Sequence, residues 1–344
     1  MRRIFIKQSV DDIAEEYANN LFSNAQKDCK PKEKLKKLRD NIKNNKRDKD
    51  WKKYYDYVDV IYKDYKNILM LHPDGKNGFE EYQKNNLGML TFEELKSKKW
   101  KKGKNIKFYE AIVAAMRYED VRSQEIIKYI NKKEIGIKVC VYCNANYTVT
   151  VDVSGEGIKA RYEIDHFLPK SRYPFLSTSF FNFQPSCPFC NRWKWKNESV
   201  FNLYTESATD DDIDPFTISL TPASISLYKI SFDSNDLEIK IDSNEMKVVN
   251  GKNVKLIDNH EEVFHINDLY KSFKEEAEEI LMTSFFNNRS YLDQMCSNIL
   301  SNVVTFSDKD AFRLVYGFYL EEKNIHKRPL TKMKQDIAKQ LGII

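Results

Sequence analysis

Four cysteines fall in two Cys-x-x-Cys pairs, Cys140/Cys143 and Cys187/Cys190, and no other feature restricts the fold of this chain as much. Each pair presents two sulfurs at the separation a tetrahedral cation requires, so two pairs roughly forty residues apart can close one four-thiolate shell around Zn²⁺. Closing that shell fixes both ends of the intervening segment. The residues between the pairs then acquire defined positions. Cys29 and Cys296 have no such spacing and read as bystanders. Three disulfides are the other use of six cysteines, but a long, lysine-rich chain without a secretory signal favours metal. The opening Met1-Arg2-Arg3-Ile4-Phe5-Ile6 turns polar at Lys7 before an apolar signal region forms, and no run of about eighteen apolar residues occurs. A cytoplasmic protein with no membrane association is expected.

At 344 residues the chain exceeds the size at which one core usually keeps growing, so two or three substructures are expected. Residues 1–134 read as a helical, basic N-terminal region. Apolar side chains recur every three to four positions in Ile13, Tyr17, Leu21 and again in Tyr54, Val58, Ile61, Tyr65, Ile68. Residues 135–215 carry the cysteine pairs and shift to a period of two: Asn146–Val153 and Ile158–Ile164 flank a Ser154-Gly155-Glu156-Gly157 turn, which predicts a hairpin with Asp165-His166 at the end of its returning strand. Pro169 and Pro174 then mark an irregular loop. Residues 216–344 read as a small β meander (Ile225–Phe232, Leu237–Ile241, Met246–Val249) followed by C-terminal helices. The fold class is therefore α+β.

The net charge of +5 is small for this length, so attraction to polyanions has to come from local clusters. Lys27–Lys53 and Lys96–Lys107 are two such clusters, the second surrounding Trp100. Either can lie along a phosphate backbone or form a solvated helix face. Asp210-Asp211-Asp212 and Glu275–Glu279 would repel nucleic acid. His72, His260, His265 and His326 have no ligand-type partners in sequence and read as ordinary surface or core residues.

Between the cysteine pairs stand Asp165-His166 and Asn182, and the second pair runs directly into Asn191. This order, carried by YEIDHFLPKSRYPFLSTSFFNFQPSCPFCNRWKWKN with CVYC upstream, resembles the HNH endonuclease family in its zinc-knuckle form. The resemblance covers about sixty residues. It implies a ββα-metal core of two strands, a loop and a helix within 135–215. Asp165 falls where the family places a metal ligand, His166 on the general base, Asn182 on the central asparagine and Asn191 on a third position that contacts the metal. It further implies DNA cleavage leaving 5′-phosphate and 3′-hydroxyl ends. In plan the chain is also similar to the HNH effectors of bacterial anti-phage cassettes of the Septu and retron-linked types, which work beside an ATPase partner subunit.

The chemistry suits those residue types. Phosphodiester hydrolysis needs an activated water and a counter-charge, and Mg²⁺ or Mn²⁺ takes oxygen ligands such as the Asp165 carboxylate and the Asn191 amide. An imidazole can take the water's proton near neutral pH. Asn182 would brace the loop that aims it. Lys170 and Arg172 in the loop, and Arg192, Lys194 and Lys196 after the third position, are candidate phosphate contacts. Trp193 and Trp195 can meet sugars or bases, or pack on the knuckle. Two further readings stay open: a non-catalytic zinc module that binds nucleic acid or a protein partner, and a nuclease directed at RNA. The long helical flanks are able to hold a partner or to form a homo-oligomer.

Overall fold

The helical lead-in follows its periodicity. In the computed structural model, which describes residues 1–23, 30–45, 49–75, 78–101, 106–155, 157–194, 199–249, 252–286 and 308–344, the helix Gln8–Ser23 buries Val10, Ile13, Ala14, Tyr17, Ala18 and Leu21 on one stripe. The run from Tyr54 to Ile68 is two helices, Trp51–Lys63 and Tyr65–Met70, broken at Asp64 with the apolar face continued across the break. Burying such a stripe is what makes a helix of this length stable.

This region grips the loop that carries the candidate site. Tyr17 Oη donates to the Thr178 carbonyl at 2.7 Å, and Ser179 Oγ donates to the Ile68 carbonyl at 2.6 Å. Residues 174–187 are buried throughout, with single 3₁₀ turns at Pro174–Leu176 and Phe180–Asn182. A buried loop needs partners for its backbone polar groups, and these helices supply some of them.

Among the described residues the first basic cluster is largely helix surface, while the second lies mostly on the paired strands Lys99–Lys101 and Ile106–Lys107. In Pro31–Asn44 the residues Leu35, Leu38 and Ile42 face inward while Lys34, Lys36 and Lys37 are exposed. Trp100 packs on Phe108 with ring centroids 5.7 Å apart and is half-buried, so it is not the exposed stacking aromatic its lysine neighbours suggest. Parts of both clusters, and Cys29 and Cys296, lie outside the described residues.

Strand pairing departs from the sequence expectation in two places. Thr150–Val153 and Gly157–Ala160 form the expected antiparallel hairpin, but Glu163–His166 does not continue it. Glu163–His166 instead pairs antiparallel with Phe183–Ser186, in the register Asp165 opposite Gln184 and His166 opposite Phe183. After residue 215 the expected meander is replaced by two separate ladders, Thr217–Leu220 with Ile239–Asp242 and Met246–Val249 with Lys252–Lys255. Ile225–Phe232, expected as a strand, belongs to the helix Pro222–Ser231 and its C-cap. Thr221 caps that helix through the Ser224 N–H, and Pro222 is set for its first turn, so the capping chemistry outweighs the β-type side chains.

Helices Leu256–Phe264, Ile266–Tyr270, Lys274–Phe286, Asp308–Tyr316 and Thr331–Gln340 complete the α+β architecture. Buried side chains from 1–134, 135–215 and 216–344 belong to one contiguous hydrophobic cluster. Among the described residues no helix is long and apolar enough to cross a membrane.

Candidate metal cluster and adjoining cleft

The two Cys-x-x-Cys turns meet. Ligand atoms of Cys140, Cys143, Cys187 and Cys190 all lie within 4.8 Å of one another, and all four residues are buried, so the cluster is able to hold a metal ion such as zinc. The first turn is closed by Asn144 N–H to the Cys140 carbonyl at 2.9 Å, with Asn144 in the left-handed region at φ 51°, a conformation asparagine tolerates. Asn146 Nδ2 sits 3.7 Å from the sulfurs of both Cys143 and Cys187, bridging the pairs. The second turn opens the helix Pro188–Lys194, where the Asn191 N–H reaches the Cys187 carbonyl at 3.0 Å. Hydrogen bonding among the sulfurs, from Cys140 first, pulls the Cys143 and Cys187 thiols below the usual thiol range, whereas burial holds Cys140 above it and the neighbouring sulfurs hold Cys190 above it. A dication bound there would release the remaining thiol protons.

Strand Glu163–His166, strand Phe183–Ser186 and helix Pro188–Lys194 then line up Asp165, His166 and Asn191 along a cleft of about 1570 Å³. His166 is 5% exposed. Its Nε2 lies 2.9 Å from the Ser177 carbonyl, and a carbonyl only accepts, so Nε2 carries the hydrogen and Nδ1 keeps the lone pair. Tyr118 and Phe183 flank the ring at 4.9 and 5.4 Å. Burial among them pushes its pKa down to about 4, against the weaker upward pull of the Ser177 bond and of Asp165, so the imidazole is neutral at physiological pH.

Asn182 does what a loop brace must. Its Oδ1 accepts the Leu168 N–H at 2.8 Å, and its Nδ2 donates to the carbonyls of Leu168 (3.1 Å) and Leu176 (3.0 Å). These three bonds tie together the two ends of the loop that supplies the Ser177 carbonyl.

Asp165 has two neighbours that its sequence position did not reveal. Tyr142 Oη donates to Oδ2 at 2.6 Å, and Lys194 Nζ lies 2.8 Å from the same oxygen while also donating to the His166 backbone carbonyl. Tyr142 lies inside the first Cys-x-x-Cys turn and is fully buried, stacked on Phe264 at 4.5 Å. The His260 ring, boxed in by Phe264, Phe216 and Phe201, donates from Nε2 to the Tyr142 carbonyl at 2.7 Å. Tyr270 Oη donates to the Cys143 carbonyl at 2.9 Å. The C-terminal helices thus clamp the first turn from behind. An aromatic between two cysteines reads as core in sequence, which is why Tyr142 escaped notice.

The candidate phosphate contacts divide. Lys170, Arg172 and Arg192 line the cleft beside Asp165, with Lys170 Nζ 4.0 Å above the Tyr118 ring. Lys194 also borders the cleft but is 8% exposed and committed to Asp165, so it is not the free clamp its place in the sequence suggests. Lys196 and Trp195 lie outside the described residues, and Trp193 packs edge-on to His265 at 5.5 Å. Another part of the lining is acidic: Asp74, Glu80, Glu81 and Glu206. Comparison with protein-family models, with curated proteins and with solved structures finds no match for this chain.

Proposed function

We propose that the chain is a metal-dependent endonuclease of the HNH type, hydrolysing phosphodiester bonds in DNA within the cytoplasm, with Zn²⁺ in the cysteine cluster. One observation carries this reading: a strand, a buried loop, an antiparallel strand and a helix bring Asp165, His166 and Asn191 to one cleft, with Asn182 tying the loop behind them. The donor set fits a hard cation at Asp165 and Asn191. Both residues offer oxygen, the donor type such an ion takes. Bound there, Mg²⁺ or Mn²⁺ would offset the charge that builds on the scissile phosphate.

The chain's own groups supply the rest. His166 Nδ1 takes the proton of the attacking water as its oxygen bonds to phosphorus and the P–O3′ bond breaks; the departing 3′-oxygen takes a proton from solvent water, leaving 3′-hydroxyl and 5′-phosphate ends. A pKa of about 4 keeps that lone pair free across the physiological range, and the Ser177 carbonyl holds the ring in one tautomer. Lys170, Arg172 and Arg192, which line the cleft, contact phosphates. The acidic lining residues Asp74, Glu80, Glu81 and Glu206 disfavour a phosphate backbone near them. An effector role in anti-phage defence, beside an ATPase partner or as a homo-oligomer, is the biological setting that the plan of the chain favours.

Incubating plasmid with the zinc-loaded protein and Mg²⁺ or Mn²⁺, with and without EDTA, tests the reading. Nicking that EDTA abolishes and that His166→Ala lacks is the expected result. Binding without cleavage of any substrate would leave a zinc module that only binds nucleic acid or a protein, and cleavage of tRNA in preference to plasmid would move the substrate to RNA.

A further inference from the structure

We propose that Lys194 is a resident counter-cation for Asp165 with which a divalent ion must contend, so that this lysine limits how tightly the site binds metal. The proposal deepens the endonuclease reading and rests on it. Lys194 follows Asn191 by one helical turn, on the same face of Pro188–Lys194, so both side chains approach the Asp165 strand together. At 8% exposure its ammonium has given up most of its water, which is costly unless protein oxygens replace it. Two do: Asp165 Oδ2 at 2.8 Å and the His166 carbonyl.

With Tyr142 Oη on the same oxygen at 2.6 Å, Oδ2 has two donors already, and among the described residues none bonds Oδ1, which is left to a ligand in the cleft. A dication on Oδ1 lies a few ångströms from the ammonium. Like charges that close, even when screened as strongly as in bulk water, oppose each other enough to shift affinity on the order of tenfold to a hundredfold. Either the ion binds weakly beside Lys194 or it drives the lysine off. In both cases removing the charge strengthens binding.

The test is Mn²⁺ affinity by isothermal titration calorimetry on the full, zinc-loaded chain. Lys194→Met and Lys194→Gln should each bind Mn²⁺ on the order of tenfold tighter than wild type or better, whereas Lys194→Arg, which keeps the charge, should stay close to wild type. Adding Asp165→Asn should abolish the tight binding and so assign it to this carboxylate. Zinc content and circular dichroism identify a variant that has failed to fold, and having two neutral variants guards against losing one. Equal or weaker Mn²⁺ binding in the folded neutral variants overturns the proposal. If the wild type nonetheless cleaves plasmid, the endonuclease reading survives that result. If neither the wild type nor the neutral variants bind Mn²⁺, both fall together.

Discussion

The helix Pro188–Lys194 serves two environments that treat polar atoms in opposite ways. Cys190 points into a cluster enclosed by buried aromatics, where all four sulfurs are sealed from solvent and find partners only within the chain. Asn191 and Lys194 border a cleft where Asp165 keeps 16% of its side-chain surface exposed and, among the described residues, one carboxylate oxygen uncommitted. The sulfur side has no position open to a substrate, while the cleft side has open positions and less than full packing. The first arrangement builds stability and the second leaves room for chemistry.

Losing the sulfur side should therefore have the largest effect. Replacing Cys187 and Cys190 together by serine should remove zinc and unfold at least residues 140–194, because metal binding in such sites contributes on the order of 10 kcal/mol to folding. Metal analysis and circular dichroism would show it, and a folded, zinc-free variant that still cleaved DNA would erase the distinction between the two sides. His166→Ala should do the reverse, keeping zinc and fold while cleavage falls by roughly a hundredfold to ten-thousandfold. Between these lies Asn182→Ala, which leaves the part-buried N–H and carbonyl of Leu168 and the buried Leu176 carbonyl without their partner and should cost about 2 kcal/mol or more, with cleavage reduced and zinc content unchanged. Denaturant melts and plasmid assays on the same preparation separate those readouts.

Acid should destabilise the core through its buried histidines. Burial pushes His260 down to about 3 and His326 down to about 4, while both titrate near 6.5 once unfolded. Between those values the unfolded chain binds protons that the folded chain excludes. Stability is therefore fully present above about pH 6.5 and is lost as pH falls, by about 1.4 kcal/mol per unit for each buried neutral ring. Thermal melts from pH 7 to 4 should show a steep decline that His260→Gln reduces. An unchanged slope in that variant would mean that the aromatic box around His260 does not set the acid sensitivity.

What could be read in advance was whatever depends on short-range spacing. The paired cysteines and the stripe through Ile13, Tyr17 and Leu21 follow from local geometry and reappear in the structure; Asn182 is singled out only by the family resemblance, and its hydrogen bonds tie the loop. The strand partner of Asp165-His166 was not legible. Phe183-Gln184-Pro185-Ser186 is buried on both faces and includes a proline, so it lacks the alternation that announces a strand, while the nearby Ile158–Ile164 has it. Lys194 was misjudged for a related reason. A lysine in a basic run is usually solvated, and only the approach of Asp165 from a distant strand makes its burial favourable. The helix Pro222–Ser231 shows the opposite failure, with the informative signal, the Thr221-Pro222 cap, lying just ahead of the β-like stretch.

The smallest expected effect sharpens the comparison most, because Tyr142 belongs to both sides. Its backbone lies in the turn between Cys140 and Cys143, its carbonyl is held by His260, and its hydroxyl reaches across to Asp165. Tyr142→Phe removes that hydroxyl alone and leaves the stacking on Phe264 intact. Asp165 keeps Lys194 as a partner, so stability should fall by about 1.5 to 3 kcal/mol, the range for a hydrogen bond to a charged group. Cleavage should fall roughly tenfold, as it does when a group that orients a metal-binding carboxylate is lost. Zinc content should not change. If the phenylalanine variant instead lost zinc, the two sides would be one cooperative unit; if it cleaved at the wild-type rate, Lys194 alone would suffice to orient the carboxylate.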